Sequence, residues 1–156
     1  MHKIIKVIIL IAMFGKFLIQ EGFSQANTFD FKNITTDNGL SHSNSGDIIQ
    51  DNKGFIWIST MNGLNKYDGY EFEVYLKKPN DKNSLPDNQV GSIFQDSYGN
   101  LWIDFTSKNL CRLNTSTGEI IRFKSIDEDS TTISGLSIQS IVEDSEKNIW
   151  IGTDNG

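Results

Sequence analysis

Short apolar segments alternate with polar turns along most of this chain. The clearest set of four is Val90–Gln95, Leu101–Phe105, Leu110–Leu113 and Ile120–Phe123. These segments are rich in β-branched and aromatic residues, and the residues between them are mostly Asp, Asn, Gly, Ser and Lys. That composition is typical of strands joined by turns. No segment after residue 26 has a sustained helical period, so the pattern predicts a β protein.

An internal repeat organises these strands. Three tryptophans follow one another at spacings of 45 and 48 residues, and an aspartate lies six residues before each of them. An apolar residue lies eleven residues before each aspartate. Glycines in the first two turns suit the positive φ that tight turns often need. The structural repeat positions are Leu40, Asp51, Gly54 and Trp57, then Leu85, Asp96, Gly99 and Trp102, then Ile133, Asp144 and Trp150.

The tryptophan strands predict how the sheets pack. Phe55 and Trp57 point to one face of their strand, and Ile56 and Ile58 point to the other, so both faces are apolar. An antiparallel strand with one face in water would alternate apolar with polar residues. The pattern therefore predicts an all-β fold, a partial β-propeller of about two and a half four-stranded antiparallel blades. A self-similar β-sandwich is the alternative fold.

The domain boundaries follow from the repeat and from the N-terminus. Residues 1–26 have a basic start, an apolar run and a small-residue end, which predict a signal peptide, with a retained membrane anchor as the alternative. We expect an N-terminal strand, Phe29–Ile34, without a pairing partner, and a linker within residues 27–38. Repeat 1 then covers 39–83, repeat 2 covers 84–131, and a truncated repeat 3 covers 132–156. Terminal units expose apolar faces, so Trp57 and Trp150 are expected to be at risk of exposure.

Charge and residue content narrow the chemistry. Residues 1–26 hold three lysines and one glutamate, so their removal would change the net charge from −6 to −8, which argues against a nucleic-acid partner. After residue 26 there is one histidine, His42, in a polar run typical of a loop, and one cysteine, Cys111. These two residues cannot form a standard zinc site, and Cys111 is expected to be buried. We predict no catalytic residue, no metal site and no cofactor.

The repeated aspartates and tryptophans each allow a functional interpretation. The aspartates could bind calcium, but the alternating acidic positions and the distal Glu of an EF-hand are missing, which favours turn formation. The tryptophans could stack on sugars, but their isoleucine neighbours favour packing between blades. The sequence therefore identifies structural positions and leaves the ligand-binding residues unknown.

Several motifs resemble the two-component regulator propeller family. They are Gly39-Leu40-Ser41, Ile48-Ile49-Gln50-Asp51, Gly54-Phe-Ile-Trp57-Ile-Ser-Thr60, Gly63-Leu-Asn-Lys-Tyr67-Asp68-Gly69 and Ile149-Trp-Ile-Gly-Thr153. The similarity extends from about Phe29 to Gly156. Ser59 and Asp104 depart from the glycine that is usual in the family after Trp-Ile. Phe105 stands where the first unit has Thr60, and Asn109 where it has Gly63.

The resemblance implies a function that belongs to a longer protein. In that family, such repeats form the periplasmic ligand-sensing part of hybrid sensor histidine kinases, whose ligands are typically breakdown products of polysaccharides. It implies that this chain is a fragment without enzymatic activity of its own. Its implied partners are the remaining propeller blades, an oligosaccharide ligand and, in the full protein, a second copy in a homodimer. No kinase catalytic residue carries over to any position.

Two other interpretations stay open. The first is a secreted β-propeller that binds glycans, or a polysaccharide lyase whose site lies in other blades. A lyase needs a base beside a charge-stabilising group, and His42 is the only histidine after residue 26. The second is a non-functional gene remnant.

Overall fold

The structure, a computed structural model, describes residues 30–123 and 137–154. Within these ranges it has ten β-strands and one short 3-10 turn, Thr36–Asn38. The strands are β1 (Ser45–Gln50), β2 (Ile56–Thr60), β3 (Gly63–Tyr67), β4 (Phe72–Tyr75), β5 (Val90–Gln95), β6 (Asn100–Phe105), β7 (Leu110–Asn114), β8 (Ile120–Phe123), β9 (Ile138–Glu143) and β10 (Ile149–Thr153). The all-β class is confirmed. In the described part of the chain, no helix has the length and apolar character needed to cross a membrane.

Consecutive strands pair as antiparallel meanders. β1 to β4 form one four-stranded sheet, β5 to β8 form a second, and β9 pairs with β10. We call these sheets blade 1, blade 2 and unit 3. All three lie in one compact part of the chain, Asn33–Gly156. In blade 2, β5 and β8 have the predicted bounds, while β6 and β7 are each one residue longer. The sheets confirm the predicted partial β-propeller.

The first hairpin of each unit contains the same irregularity. The register of β1 against β2 shifts between Ser45 and Ile48, and that of β5 against β6 shifts between Val90 and Ile93. The pairing of β9 with β10 shifts beside Gly152. A bulge bends a strand and re-aims its side chains. Because it recurs at equivalent places, it belongs to the repeat.

The core lies between the two four-stranded blades. Cross-strand pairing puts Ile49, Trp57 and Lys66 on one face of blade 1, which we call the Trp face, and Ile48 and Ile58 on the opposite face. The Trp face of blade 1 packs against the opposite face of blade 2. The buried cluster at this junction consists of Trp57, Leu64, Leu85, Val90, Ile93, Leu101, Ile103, Phe105, Cys111, Leu113 and Ile120. A strand that is apolar on both faces therefore contacts a neighbouring sheet, as its pattern predicts.

The segment that leads into blade 2 is fixed to the outer strand of that blade. Leu85 is fully buried. The guanidinium of Arg122 in β8 donates to the carbonyl oxygen of Ser84 at 2.9 and 2.6 Å and to that of Asp81 at 2.7 Å. Leu40, the equivalent of Leu85 in the first unit, is also buried. These apolar residues anchor the start of each blade.

The structure differs from two expectations for the ends of the array. Residues 30–34, the described part of the expected strand Phe29–Ile34, contain no strand. β1 to β4 already supply the four strands of blade 1, and an isolated strand has no partner for its backbone hydrogen bonds. Trp57 is 1% exposed because blade 2 covers its face, whereas Trp150 is 62% exposed. The predicted signal peptide and Ile133 lie outside the described residues.

Candidate functional site

The repeat aspartates each organise the turn between the first two strands of a unit. Oδ1 of Asp51 accepts hydrogen bonds from the backbone N–H groups of Lys53 and Phe55, both at 2.9 Å. Asp96 and Asp144 accept from the two corresponding amides at 2.8–3.0 Å. A carboxylate that accepts two amides satisfies donors that the turn leaves unpaired. All three aspartates therefore act as turn residues.

The second carboxylate oxygen of each aspartate binds the tryptophan six residues later. The indole Nε1 of Trp57 donates to Oδ2 of Asp51 at 2.8 Å. The corresponding distances are 3.0 Å for Asp96 and Trp102, and 2.7 Å for Asp144 and Trp150. The sequence shows both residues and their constant spacing, but this spacing alone did not reveal the bond. Each bond fixes the orientation of a large ring on the Trp face of its unit.

These bonds change the acidity of two of the aspartates. The Trp150 indole, followed by Asn148, lowers the pKa of Asp144 to about 2. Burial acts to raise the pKa of Asp96. Hydrogen bonds from Asn100 and Trp102 outweigh burial and lower that pKa below its usual value. Both carboxyl groups are therefore ionised at neutral pH and serve as acceptors only.

The third turn uses a lysine where the first two use glycine. Gly54 and Gly99 have φ values of 91° and 82°, and Lys147, at the equivalent position, has φ 71°. Residues with a Cβ adopt this left-handed region at a cost of roughly 1–2 kcal/mol. The third turn therefore has the same backbone geometry as the other two, but Lys147 makes this geometry less favourable than glycine does.

A longer turn accounts for Asn109 in place of glycine. Gly63 has φ 111°, and a Cβ there would lie 2.6 Å from the carbonyl oxygen of Tyr75. The equivalent turn of blade 2 has one more residue, and the positive φ falls on Lys108, at 60°. Asn109 is therefore free of the steric restriction that applies to Gly63.

Neighbouring units are joined by the same side-chain contact. The side chain of Gln95, at the end of β5, accepts from the N–H of Asn52 in the turn of blade 1 at 2.9 Å. Glu143, at the end of β9, accepts from the N–H of Ser97 at 2.8 Å and from its hydroxyl at 2.7 Å. In both cases the residue before a repeat aspartate caps the turn of the preceding unit. We call this contact the seam bond.

Ser59 and Asp104, which replace the family's glycine after Trp-Ile, each bond to the bulged first strand of their blade. The hydroxyl of Ser59 accepts from the N–H of Asp47 at 2.7 Å. In blade 2 the carboxylate of Asp104 takes the same place and accepts from the N–H of Ser92. Burial raises the pKa of Asp104, and its Oδ1 has no hydrogen-bond partner in the structure. Side chains at this position therefore satisfy a backbone donor that the irregular pairing leaves open.

A cavity of about 240 Å³ lies between the outer strand of blade 1 and the segment leading into blade 2. It is lined by Glu73, Val74, Tyr75, Leu76, Lys78, Asn83, Ser84, Leu85, Gly118 and Ile120. Burial, followed by the charge of Glu73, raises the pKa of Tyr75, so its hydroxyl is neutral. Ligand pockets usually measure roughly 300–1,000 Å³, so this cavity is below the size of an oligosaccharide site.

The other candidate residues lie apart from one another. Nδ1 of His42, in the loop before β1, accepts from the N–H of Asn44 at 2.9 Å. Cys111 is a buried free thiol, and burial raises its pKa to about 12. Burial of this cysteine agrees with the expectation from the sequence. Among the described residues, no three His, Cys, Asp or Glu side chains are grouped closely enough to hold a metal ion.

The three units match a known repeat family. The family described as two component regulator propeller matches residues 39–62, 84–104 and 132–155. Each matched stretch contains one Asp–Trp turn. The protein described as Histidine kinase P4 from Formosa agariphila is 44% identical over 62 residues, which are 40% of this chain and 4% of that protein.

Solved structures share the fold. The extracellular domain of a protein described as a hybrid two component system from B. thetaiotaomicron matches with a TM-score of 0.69 and 25% identity, over 77% of this chain and 17% of that one. The extracellular domain of one described as a one component system from the same organism matches with a TM-score of 0.60 and 23% identity, over 80% and 17%. The chain thus spans less than a fifth of each of these relatives.

Proposed function

We propose, from the two-component regulator propeller repeats of which the chain is built, that it forms part of an extracytoplasmic ligand-sensing propeller in a two-component signal transduction receptor. The observation that carries this proposal is the threefold match of the repeat family at the Asp–Trp turns. The solved relative with a TM-score of 0.69 is an extracellular domain of a signalling system. This supports a sensor over a secreted lyase or glycan-binding propeller.

The role of this segment is recognition and not chemistry. Its best-defined polar groups, the repeat aspartates, are occupied by turn amides and indole donors. A nucleophile or general base needs a side chain free to reach a substrate. Histidine kinase activity belongs to other parts of the full receptor. By the same resemblance, the receptor is periplasmic, with an inner-membrane anchor.

The ligand class we propose is an oligosaccharide released from a complex polysaccharide. Its binding to the assembled propeller would shift a homodimer equilibrium of the receptor and so control the kinase. A ligand can shift such an equilibrium only if it binds one of the two states more tightly. The blades described here supply part of that receptor. Small changes in packing at a blade junction, such as the one between blades 1 and 2, can alter the conformation of the ring.

Two experiments test this proposal. In the first, codons 39–154 are removed in frame from the gene in its own bacterium, and transcription is measured during growth on a panel of purified polysaccharides. The sensor hypothesis expects that induction by one polysaccharide is lost, while a Tyr70→Ala control at an exposed turn residue leaves it intact. An unchanged response to every polysaccharide would contradict it.

The second experiment tests export. Residues 1–26 are fused to an alkaline phosphatase that lacks its own signal and is active only outside the cytoplasm. We expect activity from the wild-type fusion and none when Leu10→Arg interrupts the apolar run. Activity from both fusions, or from neither, would argue against a signal peptide.

A further inference from the structure

The cavity between the outer strand of blade 1 and the segment leading into blade 2 has an apolar floor and a polar rim. We call it the outer cavity. Its floor includes Leu85, which is fully buried, and Ile120, which is 8% exposed. Its rim includes Glu73 and Lys78, whose side chains are exposed to solvent. A concave surface with an apolar interior and a few polar groups is the usual form of a small-molecule site.

Hydrogen bonds hold one wall of the outer cavity in place. Oδ1 of Asn83 accepts from the backbone N–H of Ile120 at 2.7 Å, and Nδ2 of the same residue donates to the carbonyl oxygen of Gly118 at 3.3 Å. The carbonyl oxygen of the next residue, Ser84, accepts from the guanidinium of Arg122. These bonds tie the segment to β8 and to the turn before it. The cavity is therefore formed before a ligand enters, which lowers the cost of ordering on binding.

Tyr75 supplies an oriented aromatic ring and a hydroxyl to the same cavity. The centroid of its ring lies 5.5 Å from that of Trp57, and the side chain packs against the buried cluster. Burial, followed by the charge of Glu73, raises the pKa of Tyr75, so the hydroxyl stays protonated. A neutral phenol both donates and accepts hydrogen bonds, and its ring offers a flat apolar surface.

The rim of the outer cavity carries one negative and one positive side chain. Oε2 of Glu73 lies 3.4 Å from the ammonium of Lys66, and the Glu73 side chain is 59% exposed. A carboxylate has about four acceptor positions, so this ion pair leaves room for further hydrogen bonds. The ammonium of Lys78 acts only as a donor. Together, Glu73 and Lys78 offer acceptors and donors without a net charge.

We propose that the outer cavity binds one neutral sugar residue at the end of the oligosaccharide, an inference that rests on the proposed function. Hydroxyl groups of the sugar donate to Glu73 and accept from Lys78 and Tyr75, and the C–H face of the sugar ring lies on the aromatic ring. Only a terminal residue enters, because the cavity is too small for an oligosaccharide. The ligand is neutral because a charged sugar is attracted by one rim side chain and repelled by the other.

The test measures binding of single sugars to the whole chain, labelled with nitrogen-15 and purified after expression in a bacterial host. Methyl glycosides of glucose, galactose, mannose and xylose are titrated separately to millimolar concentrations, and amide chemical shifts are recorded by nuclear magnetic resonance. We expect saturable shifts with at least one glycoside at residues 73–78 and 118–120, which line the cavity. No shifts with any glycoside, or shifts only elsewhere in the chain, would overturn the proposal.

Two variants assign the contacts within the cavity. Tyr75→Phe removes only the hydroxyl, and we expect the dissociation constant to rise about threefold to tenfold. Glu73→Gln removes the charged acceptor, and we expect a rise of about tenfold or more. Circular dichroism checks that each variant keeps the wild-type sheet content. Unchanged dissociation constants in both folded variants would overturn the proposal.

Two control variants separate these contacts from general effects on blade 1. Tyr67→Phe removes a hydroxyl that donates to the carbonyl oxygen of Gly69 outside the cavity, and it should leave the dissociation constant unchanged. Lys66→Met breaks the ion pair of Glu73 without altering the cavity lining, and it should raise the dissociation constant less than Glu73→Gln does. Equal effects of Tyr67→Phe and Tyr75→Phe would show that the sugar does not contact the Tyr75 hydroxyl.

The charge of the ligand has its own measurement. We compare the glycoside that binds best with the corresponding uronic acid, which carries a carboxylate. We expect the uronic acid to bind no more tightly, because Glu73 repels the charge that Lys78 attracts. Tighter binding of the uronic acid would overturn the neutral ligand class.

Failure of the outer cavity and failure of the sensor role give different results. Loss of induction on deletion of codons 39–154, without sugar binding by the purified chain, would contradict the cavity as a sugar site and leave the sensor role in place. Sugar binding at the cavity with unchanged induction would support the site and contradict the sensor role.

Discussion

The indole nitrogen of Trp57 lies 2.8 Å from Oδ2 of Asp51, and both side chains are buried. Because Oδ1 of the same carboxylate holds two turn amides, one side chain links the turn to the sheet face that meets the next blade. Trp57 in turn belongs to the cluster at the junction of blades 1 and 2. A local hydrogen bond between residues six apart thus supports packing between units.

Replacement of Asp51 tests this link. In Asp51→Asn, one of the two carboxylate oxygens becomes an NH₂ group, so either Trp57 or the turn amides lose their acceptor. A buried donor left without an acceptor costs about 1–3 kcal/mol, and we expect the free energy of unfolding to fall by that amount. Urea denaturation followed by circular dichroism measures the change.

The same substitution in unit 3 is the matched control. Asp144→Asn removes an equivalent bond, but Trp150 is 62% exposed, so water can replace the lost acceptor. We expect a smaller loss of stability than in Asp51→Asn. Equal losses at the two positions would mean that burial of the indole does not determine the strength of the bond.

A pH titration provides a second prediction. Hydrogen bonds from Trp150 and then Asn148 lower the pKa of Asp144 to about 2, below its usual 3.8. A carboxyl group whose pKa is depressed by folding contributes stability above its unfolded pKa and loses it as the pH falls through the folded pKa. The contribution of Asp144 is therefore complete above about pH 4 and disappears towards pH 2.

The side chain of Trp150 is the largest cause of this shift, so its removal checks the assignment. In Trp150→Phe, we expect the pKa of Asp144 to rise towards its usual value, measured by carboxyl-detected nuclear magnetic resonance. Trp102→Phe should leave the pKa of Asp144 unchanged, because that indole donates to Asp96. An Asp144 pKa near 2 in Trp150→Phe would assign the shift to other groups.

The sequence predicts the blade because the blade is encoded locally. Alternation within Phe55–Ile58 shows two apolar faces, and the Asp and Gly of each turn specify a tight connection between neighbouring strands. Periodicity then extends the interpretation to the second unit, whose β5 and β8 have the predicted bounds. Interactions between residues close in sequence are sufficient for this part of the fold.

The sequence does not predict which tryptophan is buried or which residues bond between units, because both depend on the direction in which the blades stack. Trp57 and Trp150 are equivalent in sequence, but only Trp57 lies on a face that the next blade covers. The seam bond joins Gln95 to Asn52, which is 43 residues away. Such contacts are fixed by the placement of whole sheets, and a single repeat carries no information about which face meets its neighbour.

The turn of unit 3 gives a prediction about backbone conformation. Lys147 has φ 71° where the first two turns have glycine. Lys147→Gly removes the steric cost of that conformation, and we expect unit 3 to gain roughly 1 kcal/mol. Amide hydrogen exchange of β9 and β10 measures the change as increased protection.

A neighbouring residue in the same turn is the control for this substitution. Glu146 is not among the residues with positive φ, so Glu146→Gly adds flexibility without relieving strain. We expect it to decrease protection of the same strands. If both glycine variants changed protection in the same direction, left-handed geometry at Lys147 would not be the reason.

The last prediction concerns the guanidinium of Arg122, which donates to the carbonyl oxygens of Asp81 and Ser84. Arg122→Lys keeps the charge but replaces a planar fork of donors with a single ammonium that cannot reproduce these contacts. Since hydrogen bonds from charged groups contribute about 1.5–3 kcal/mol each, we expect a loss of that order in the free energy of unfolding. Arg112→Lys, on the Trp face of the same sheet, is the control and should have a smaller effect.

We also expect Cys111, the cross-strand partner of Arg122, to react faster with a thiol reagent in Arg122→Lys, because loosening of the segment at Ser84 uncovers β8. Unchanged stability and unchanged thiol reactivity would show that the segment is held by burial of Leu85 alone.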